Sequence, residues 1–291
     1  MNKTRVQHFP PKNILVPLDA HDASIYAWKQ AQALARRLGA RVQGLYAQDW
    51  SFSARTQPYF ETRDPGNALS KLRSRLGAGA DVRRVEGPVE ETILSWGKNL
   101  KFDLIVMGPH GRTGLDRALK GSVAEYIVRH SSVPVLVARR MPPRYRTVLA
   151  PVNFEPYSMD ALLFAAKTAA ALKARLTVLH VNGAPFYSDA DPVASPKKLV
   201  ADFIARLPAH LRQACRPKPL LVFGKPLEEI IAASEQADLV VLAAHRKGFL
   251  QDAILGTTAE GVLRHCRKPV LSVPVASAKR RGYAAGDWES K

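Results

Sequence analysis

Ile14-Leu-Val-Pro-Leu-Asp19 and Val148-Leu-Ala-Pro-Val-Asn153 are two short apolar segments that carry proline at the same place and end on an acid or its amide. They lie 134 residues apart in a chain of 291 residues. Each is followed by a run with helical periodicity, Ser24–Leu38 and Ser158–Leu172, and then by a second apolar segment. The sequence therefore contains a strand–helix–strand unit twice.

Landmarks further along the chain recur in the same order, at offsets of up to 138 residues. The matched pairs are Gly87–Ile93 with Gly224–Ile231, Phe102–Met107 with Ala237–Leu242, and Arg129–Val137 with Arg264–Ser272. Because order and spacing persist, we interpret the chain as an internal duplication. We predict domain 1 over residues 1–141, domain 2 over residues 142–276 and a basic C-terminal tail over residues 277–291.

The strands of both repeats are continuous apolar runs that alternate with helical segments. Strands that are apolar on both faces are typical of a mostly parallel sheet with helices on both sides. The sequence therefore predicts an α/β fold with two tandem, doubly wound, parallel sheets.

The net charge of +18, from 43 lysines and arginines against 25 acidic residues, suggests nucleic acid or a membrane surface as a partner. The excess divides into +7 over residues 14–141 and +6 over residues 142–276, so no single stripe collects it. The segment Met1–Asn13 has no apolar core of a secretory signal, and no apolar run approaches the ~20 residues of a membrane-spanning helix. Cys215 and Cys266 lack the spacing of a redox or metal motif. We expect a cytoplasmic protein with free thiols and no membrane partner. We do not expect nucleic acid to be its partner.

The segment after the fourth strand of domain 1 is the candidate ligand loop. Gly108 and Gly111 are three residues apart, and Gly121-Ser122 precedes the last helix. Glycines let a ligand approach the main chain, and N–H groups at a helix N-terminus bind phosphate oxygens. Ligands of open α/β sheets bind where the winding direction reverses, so we expect Asp19 across one crevice from Gly108. A carboxylate there suits ribose hydroxyls or a metal ion.

The same residues also allow a purely structural interpretation. Ser122-x-x-Glu125 and Thr257-x-x-Glu260 have the spacing of capping boxes, which need no ligand. Neither GxxxxGK[ST] nor GxGxxG occurs, so a P-loop and a dinucleotide fingerprint have no support.

Taken together, these motifs resemble the universal stress protein family, over residues 12–140 and again 144–276. The resemblance rests on Pro17-x-Asp19, on Gly87-Pro-x-Glu-Glu-x-Ile93, and on the glycine spacing from Gly108 to Ser122. It implies a Rossmann-like, adenine nucleotide alpha hydrolase-like fold, with five parallel strands in the order 3-2-1-4-5 in each domain. It also implies ATP binding, which occurs in one branch of the family.

In that branch the resemblance assigns Asp19 to the nucleoside, the main chain near Ala47 to adenine, and the glycine loop to ribose and phosphates. The implied cofactor is ATP, with or without Mg²⁺, in domain 1 only. No catalytic and no metal-ligating residue is expected. The expected nucleotide-binding residues are Pro17, Asp19, Ala47, Met107, Gly108, His110, Gly111, Gly121, Ser122 and Val123.

Domain 2 departs from this pattern. When Gly256-Thr257 is aligned with Gly121-Ser122, Ala243 and Arg246 occupy the places of the two early glycines, and Asn153 replaces Asp19. We expect domain 2 to bind ATP poorly or not at all, and to serve as a pairing partner or to bind another ligand in a remodelled pocket.

Three functions remain open at this point. The first is a stress-response protein that acts through ATP-dependent interactions, and the second is a stress protein that binds partners or small ligands without nucleotide. The third is a slow ATPase, for which the sequence offers no general base besides Asp19 and no placeable arginine finger. Single-domain members of the family pair through their last strands. We therefore expect Val133–Ala138 to pair with Pro269–Val275 in an internal pseudo-dimer, with a further homodimer left open.

Overall fold

The computed structural model describes eight stretches of the chain: residues 9–19, 21–48, 65–77, 79–109, 123–139, 144–183, 196–247 and 254–275. The expected basic tail, residues 277–291, lies outside them. Within these stretches no helix combines the length and the apolar character needed to cross a bilayer.

Domain 1 alternates strands with helices along the chain. Its strands are β1 (Asn13–Pro17), β2 (Arg41–Gln48), β3 (Val82–Glu86), β4 (Leu104–Met107) and β5 (Val135–Val137). Its helices, as far as they are described, are α1 (Asp22–Leu38), α2 (Pro65–Leu76), α3 (Val89–Asn99) and α4 (Val123–His130).

Among the described residues, domain 2 repeats this plan with one further helix and one further short strand. Its strands are β6 (Thr147–Val152), β7 (Arg175–Asn182), β8 (Lys218–Phe223), β9 (Leu239–Lys247), β10 (Ile254–Leu255) and β11 (Val270–Val275). Its described helices are α5 (Pro156–Leu172), α6 (Pro196–Ala205), α7 (Ala209–Cys215), α8 (Pro226–Ser234) and α9 (Thr257–His265).

The strands form one continuous sheet in the order β3-β2-β1-β4-β5-β11-β9-β6-β7-β8, with β10 paired to β9 outside this path. Counted from its outer edge, each half has the order 3-2-1-4-5, which confirms the prediction of two doubly wound parallel sheets. Neighbours within each half of this path are parallel.

The two halves meet at an antiparallel pair formed by β5 and β11. The paired residues are Val137 with Val270, Leu136 with Leu271, and Val135 with Ser272. The pairing expected between the last strands is therefore present. It covers the inner edge of each half-sheet, which would otherwise expose unpaired main-chain groups.

Alternation along the strands divides the core into two layers. In β1, Ile14 and Val16 are buried on one face while Leu15 is buried on the other. The first face packs against α1, α2, α5, α6 and α7, and the second against α3, α4, α8 and α9. Since each layer contains residues of both domains, the apolar core runs without a break across the β5–β11 seam.

Four charged side chains join α4 and α9 across the seam. Glu125 pairs with Arg129, and Glu260 pairs with Arg264, within each helix. Between the helices, Arg129 lies 3.3 Å from Glu260 and Arg264 lies 3.5 Å from Glu125. Glu125 keeps only 11% of its side-chain surface exposed, so this network is screened less by water than an ordinary surface ion pair.

A buried hydrogen bond ties α1 to the segment that enters domain 2. The amide nitrogen of Gln30 donates to the hydroxyl of Tyr145 at 2.7 Å. Gln30 is fully buried and Tyr145 is 5% exposed. Burial raises the pKa of Tyr145 from its ordinary value of 10.0 to about 12, because the phenolate would lose its hydration.

Glu125→Ala should lower the free energy of unfolding by about 1–3 kcal/mol, because it leaves two half-buried arginines with a single carboxylate. Glu228→Ala is the matched control, since Glu228 is 65% exposed and, within the described stretches, pairs only with the exposed Lys225. The control should change stability by less than about 0.5 kcal/mol. Urea unfolding of both variants measures the difference, and equal losses would contradict a stabilising role for the network.

The raised pKa of Tyr145 makes stability fall at high pH. The unfolded chain releases this phenolic proton near pH 10, whereas the folded chain holds it until about pH 12. The contribution is complete below pH 10 and is lost as pH rises toward 12, by about 3 kcal/mol. Urea unfolding between pH 8 and 12 should show a shallower decline for Tyr145→Phe than for the wild type. Parallel declines would contradict this assignment.

Candidate functional site

The candidate ligand crevice of domain 1 lies at the carboxyl ends of β1, β2 and β4. The order of the strands reverses between β1 and β4, whose pairing includes Ile14 with Leu104. The helices that follow neighbouring strands lie on opposite faces at such a reversal, so a gap opens beyond the strand ends.

Asp19 shapes the turn between β1 and α1. Its Oδ1 accepts the N–H of His21 at 3.1 Å, and its own N–H donates to Ser24 Oγ at 3.3 Å. Ser24 Oγ in turn donates to the carbonyl of His21 at 2.9 Å. The turn uses one carboxylate oxygen of Asp19 and holds the side chain at the edge of the crevice.

Gly108 follows β4 and touches the same end of α1. A Cβ at this position would lie 3.0 Å from the carbonyl carbon and oxygen of Ala23. The absence of a side chain therefore has a structural reason besides any ligand: β4 could not approach α1 so closely with another residue. Asp19 and Gly108 are brought together because both contact the first turn of α1.

The main chain of Ala47 points toward the crevice. Gly44 donates to Asp81, and Gln48 accepts from Gly87, so residues 44, 46 and 48 direct their main-chain groups toward β3. Leu45 and Ala47 consequently face β1. The last β1–β2 pair is Pro17 with Leu45, so Ala47 lies beyond the end of β1, and no described strand pairs with it on that side.

The other expected contact residues fall into three groups. Pro17 is the partly buried last residue of β1 and Val123 the partly buried first residue of α4. Met107 is buried in the core, and its carbonyl accepts the N–H of Ala138 at 2.7 Å. The carbonyl of Met107 is therefore engaged in the pairing of β4 with the β5 segment. The expectations that fall outside the described residues are His110, Gly111, Gly121 and Ser122.

Domain 2 carries a different structure where domain 1 has the start of the glycine loop. The strand β4 ends at Met107, but β9 continues through Ala243 to Lys247. Along this extension β9 pairs with β11 as far as His245, and then with β10 through Arg246 and Lys247. The segment that corresponds to the start of the glycine loop is therefore an extended strand in domain 2.

The capping-box interpretation is wrong for α9. Gly256 is the N-cap residue, whereas Thr257 is already the first helical residue. Glu260 does not reach back to the cap but pairs with Arg264 and Arg129. The other suggested box begins at Ser122, outside the described residues.

Asn153 reproduces the turn of Asp19 with an amide. Its Oδ1 accepts the N–H of Glu155 at 3.3 Å and the hydroxyl of Ser158 at 2.6 Å. Its amide nitrogen donates to the hydroxyl of Tyr157, which occupies the position of Ala23 in domain 1. We did not single out Tyr157 from the sequence, although the offset of 134 residues between the repeats was enough to place it opposite Ala23.

Beside this turn lies a cavity of about 330 Å³ at the carboxyl ends of β6, β7 and β9. Its walls include Asn153 and Tyr157, the end of β7 at Val181, and the first turns of α8 and α9.

His180, interpreted from the sequence as a packed residue, donates to the carbonyl of Val152 at 3.0 Å and lies against Phe154 with 4.2 Å between ring centroids.

Groups that could bind a metal ion are sparse in the part of the chain described. There, no cluster of three or more histidine, cysteine, aspartate or glutamate side chains has a suitable arrangement. Cys215 and Cys266 are free and buried. Burial raises the pKa of the Cys215 thiol, which disfavours its reactive thiolate form.

The fold and the two crevices define a tandem, doubly wound α/β protein with one potential ligand site at the switch point of each half-sheet. The chain belongs to the universal stress protein family, whose model matches residues 11–139 and 144–274.

Individual relatives show the same relationship. A universal stress protein of Methanocaldococcus jannaschii is 30% identical over 141 residues, covering 44% of this chain and 82% of the relative. A universal stress protein of Mycobacterium bovis is 29% identical over 187 residues, covering 58% of this chain and 61% of the relative. The crystal structure of a universal stress protein from Archaeoglobus fulgidus DSM 4304 has a TM-score of 0.66 and 19% identity, covering 90% of this chain and 98% of its own. The similarity to this crystal structure is a similarity of fold.

Gly108→Val should lower the free energy of unfolding by about 1–3 kcal/mol, because the added side chain meets the main chain of Ala23. Gly183→Val is the matched control, since no described residue outside its chain neighbours has an atom within 4 Å of a Cβ built at Gly183. The control should change stability by less than about 0.5 kcal/mol in urea unfolding. If the two variants are equally stable, the close approach of β4 to α1 does not depend on Gly108.

Proposed function

We propose that this protein binds ATP or a related adenine nucleotide in domain 1, with or without Mg²⁺, and acts in the stress response through interactions that depend on the nucleotide. Membership of the universal stress protein family supports a stress-related role. The observation that carries the nucleotide part is the main chain of Ala47, which lies beyond the end of β1 on the side of the crevice, where no described strand pairs with it.

A main-chain N–H and C=O on one strand edge present a donor and an acceptor side by side. The adenine ring offers the complementary donor and acceptor along one edge, so Ala47 can recognise it without a side chain. On the neighbouring strand, the turn at Asp19 uses one carboxylate oxygen. The other oxygen suits the hydroxyls of the ribose.

The phosphates would follow from the ribose toward the loop that begins at Gly108. In this proposal Gly111, Gly121 and Ser122 contribute main-chain and hydroxyl groups there, and α4 directs its N-terminal end, at Val123, toward the same region. A bound Mg²⁺ would be held mainly by the phosphates and would offset their charge. This chain's own contribution is to position the nucleotide.

The cytoplasm is the proposed compartment, because both cysteines are free and buried, as suits a reducing environment. The net charge of +18 would assist the approach of an anionic nucleotide by weak, salt-sensitive attraction.

Calorimetric titration with Mg-ATP tests the proposal, and Asp19→Asn is the informative variant. Asn153 shows that an asparagine makes the same turn, so Asp19→Asn should fold normally while losing the carboxylate. We expect one ATP per chain for the wild type. Loss of a hydrogen bond to a charged group should weaken binding by about 1.5–3 kcal/mol, which is roughly 10- to 150-fold.

The reciprocal change Asn153→Asp is the matched control in domain 2 and should leave the ATP affinity unchanged. Thermal unfolding should show similar midpoints for all three proteins. Undetectable binding to the wild type would overturn the proposal. Two equal sites would overturn its restriction to domain 1, and full affinity in Asp19→Asn would overturn the role given to Asp19.

A further inference from the structure

The cavity of domain 2 is large enough for a small organic ligand. Its volume of about 330 Å³ falls within the usual range for ligand pockets, roughly 300–1,000 Å³. It lies between the last residues of β6, β7 and β9 and the first turns of α8 and α9. Its apolar walls come from residues that belong to different elements, among them Leu179, Val181, Ile230, Leu242 and Val262.

The described residues that line this cavity include no charged side chain, although the whole chain carries a net charge of +18. An anion transferred from water into such surroundings would lose its hydration without gaining an ionic partner. The composition of the walls therefore favours a neutral ligand over a nucleoside triphosphate.

The polar groups at the mouth of the cavity are already engaged with one another. Asn153 accepts from Ser158 and donates to Tyr157, so its amide is held by neutral side chains. No carboxylate stands where Asp19 stands in domain 1. The position that would meet a ribose therefore carries a neutral amide that is already bonded to its neighbours.

The second feature expected of a nucleotide site is a glycine loop after the fourth strand. In domain 2 the extension of β9 occupies the place where this loop begins. Ala243, Ala244 and His245 pair with β11, and Arg246 and Lys247 pair with β10. In domain 1, β4 ends at Met107, and the described residues that follow it, Gly108 and Pro109, are not part of a strand. The backbone of domain 2 thus continues as an extended strand where domain 1 begins its glycine loop.

One polar wall remains available to a ligand. Thr257 and Thr258 begin α9 and line the cavity, and the N-cap residue Gly256 makes no side-chain cap. The first N–H groups of a helix have no partner within the helix and favour an acceptor. A ligand with a carbonyl or ether oxygen at one end would complement this wall.

From these observations we infer that the cavity of domain 2 binds an uncharged, largely apolar small molecule with one hydrogen-bond acceptor directed at the first turn of α9. This inference does not depend on ATP binding in domain 1. Together with the proposed function, it predicts that the two domains of one chain take ligands of different chemical class.

The neutral fluorophore prodan, an aromatic ketone, is a suitable probe because its emission shifts to the blue in apolar surroundings. We expect saturable binding of one prodan per chain, a blue shift, and no dependence on ionic strength. Saturating Mg-ATP should not displace the probe. Binding that does not saturate, or competition between ATP and prodan, would overturn the inference.

Val181→Trp and Ala47→Trp form a matched pair, because the two residues occupy the same position of β7 and β2 and are both partly buried. Val181→Trp should fill the cavity and weaken prodan binding at least tenfold while leaving ATP binding intact. Ala47→Trp should retain prodan binding and weaken ATP binding. Prodan binding that is lost only in Ala47→Trp would place the probe in domain 1 and overturn the inference.

Ala259→Leu, at another residue that lines the cavity, provides a second test. It should also weaken prodan binding, and it remains informative if Val181→Trp lowers the thermal unfolding midpoint. Undiminished prodan binding in both folded variants would overturn the inference. If the wild type fails to bind ATP but binds prodan as described, the proposed function fails and the inference stands.

Discussion

The antiparallel pairing of β5 with β11 is the constraint on which the arrangement of the whole molecule depends. Strands within each half are parallel, so reversing direction at this seam makes the carboxyl ends of the two halves point in opposite directions. The crevices of the two domains consequently lie at opposite ends of the strands that form the sheet. The apolar layers remain continuous while the ligand sites are separated, which lets one rigid core support two independent sites.

Much of the fold could be predicted because it depends on local patterns that occur twice. The helices were expected over Ser24–Leu38 and Ser158–Leu172, and they begin two residues earlier, at Asp22 and Pro156. Such starts are set by turn residues that carry no apolar periodicity. The extension of β9 to Lys247 was not predicted, because it depends on pairing with β11 and β10, and such long-range contacts leave no local signal.

The candidate site also depends on long-range contacts that the sequence does not reveal. The sequence was sufficient to place Asp19 and Gly108 at strand ends, but only the structure shows that both contact the first turn of α1. The direction of the Ala47 main chain follows from the strand register, which composition does not reveal. The capping box at Thr257 failed for a related reason: Glu260 is attracted by arginines, one of which belongs to the other domain.

The Glu–Arg network has a consequence for how the two domains could diverge. Because Glu125 and Arg129 repeat as Glu260 and Arg264, the contact is self-complementary, as in a symmetric dimer. Two separate chains with this contact would associate only above some concentration. Covalent linkage makes the encounter intramolecular, so the pairing persists at any dilution. A substitution in one half then appears once per assembly and not twice. The tether thereby permits Asn153 and Tyr157 to occur in one crevice while Asp19 and Ala23 are kept in the other.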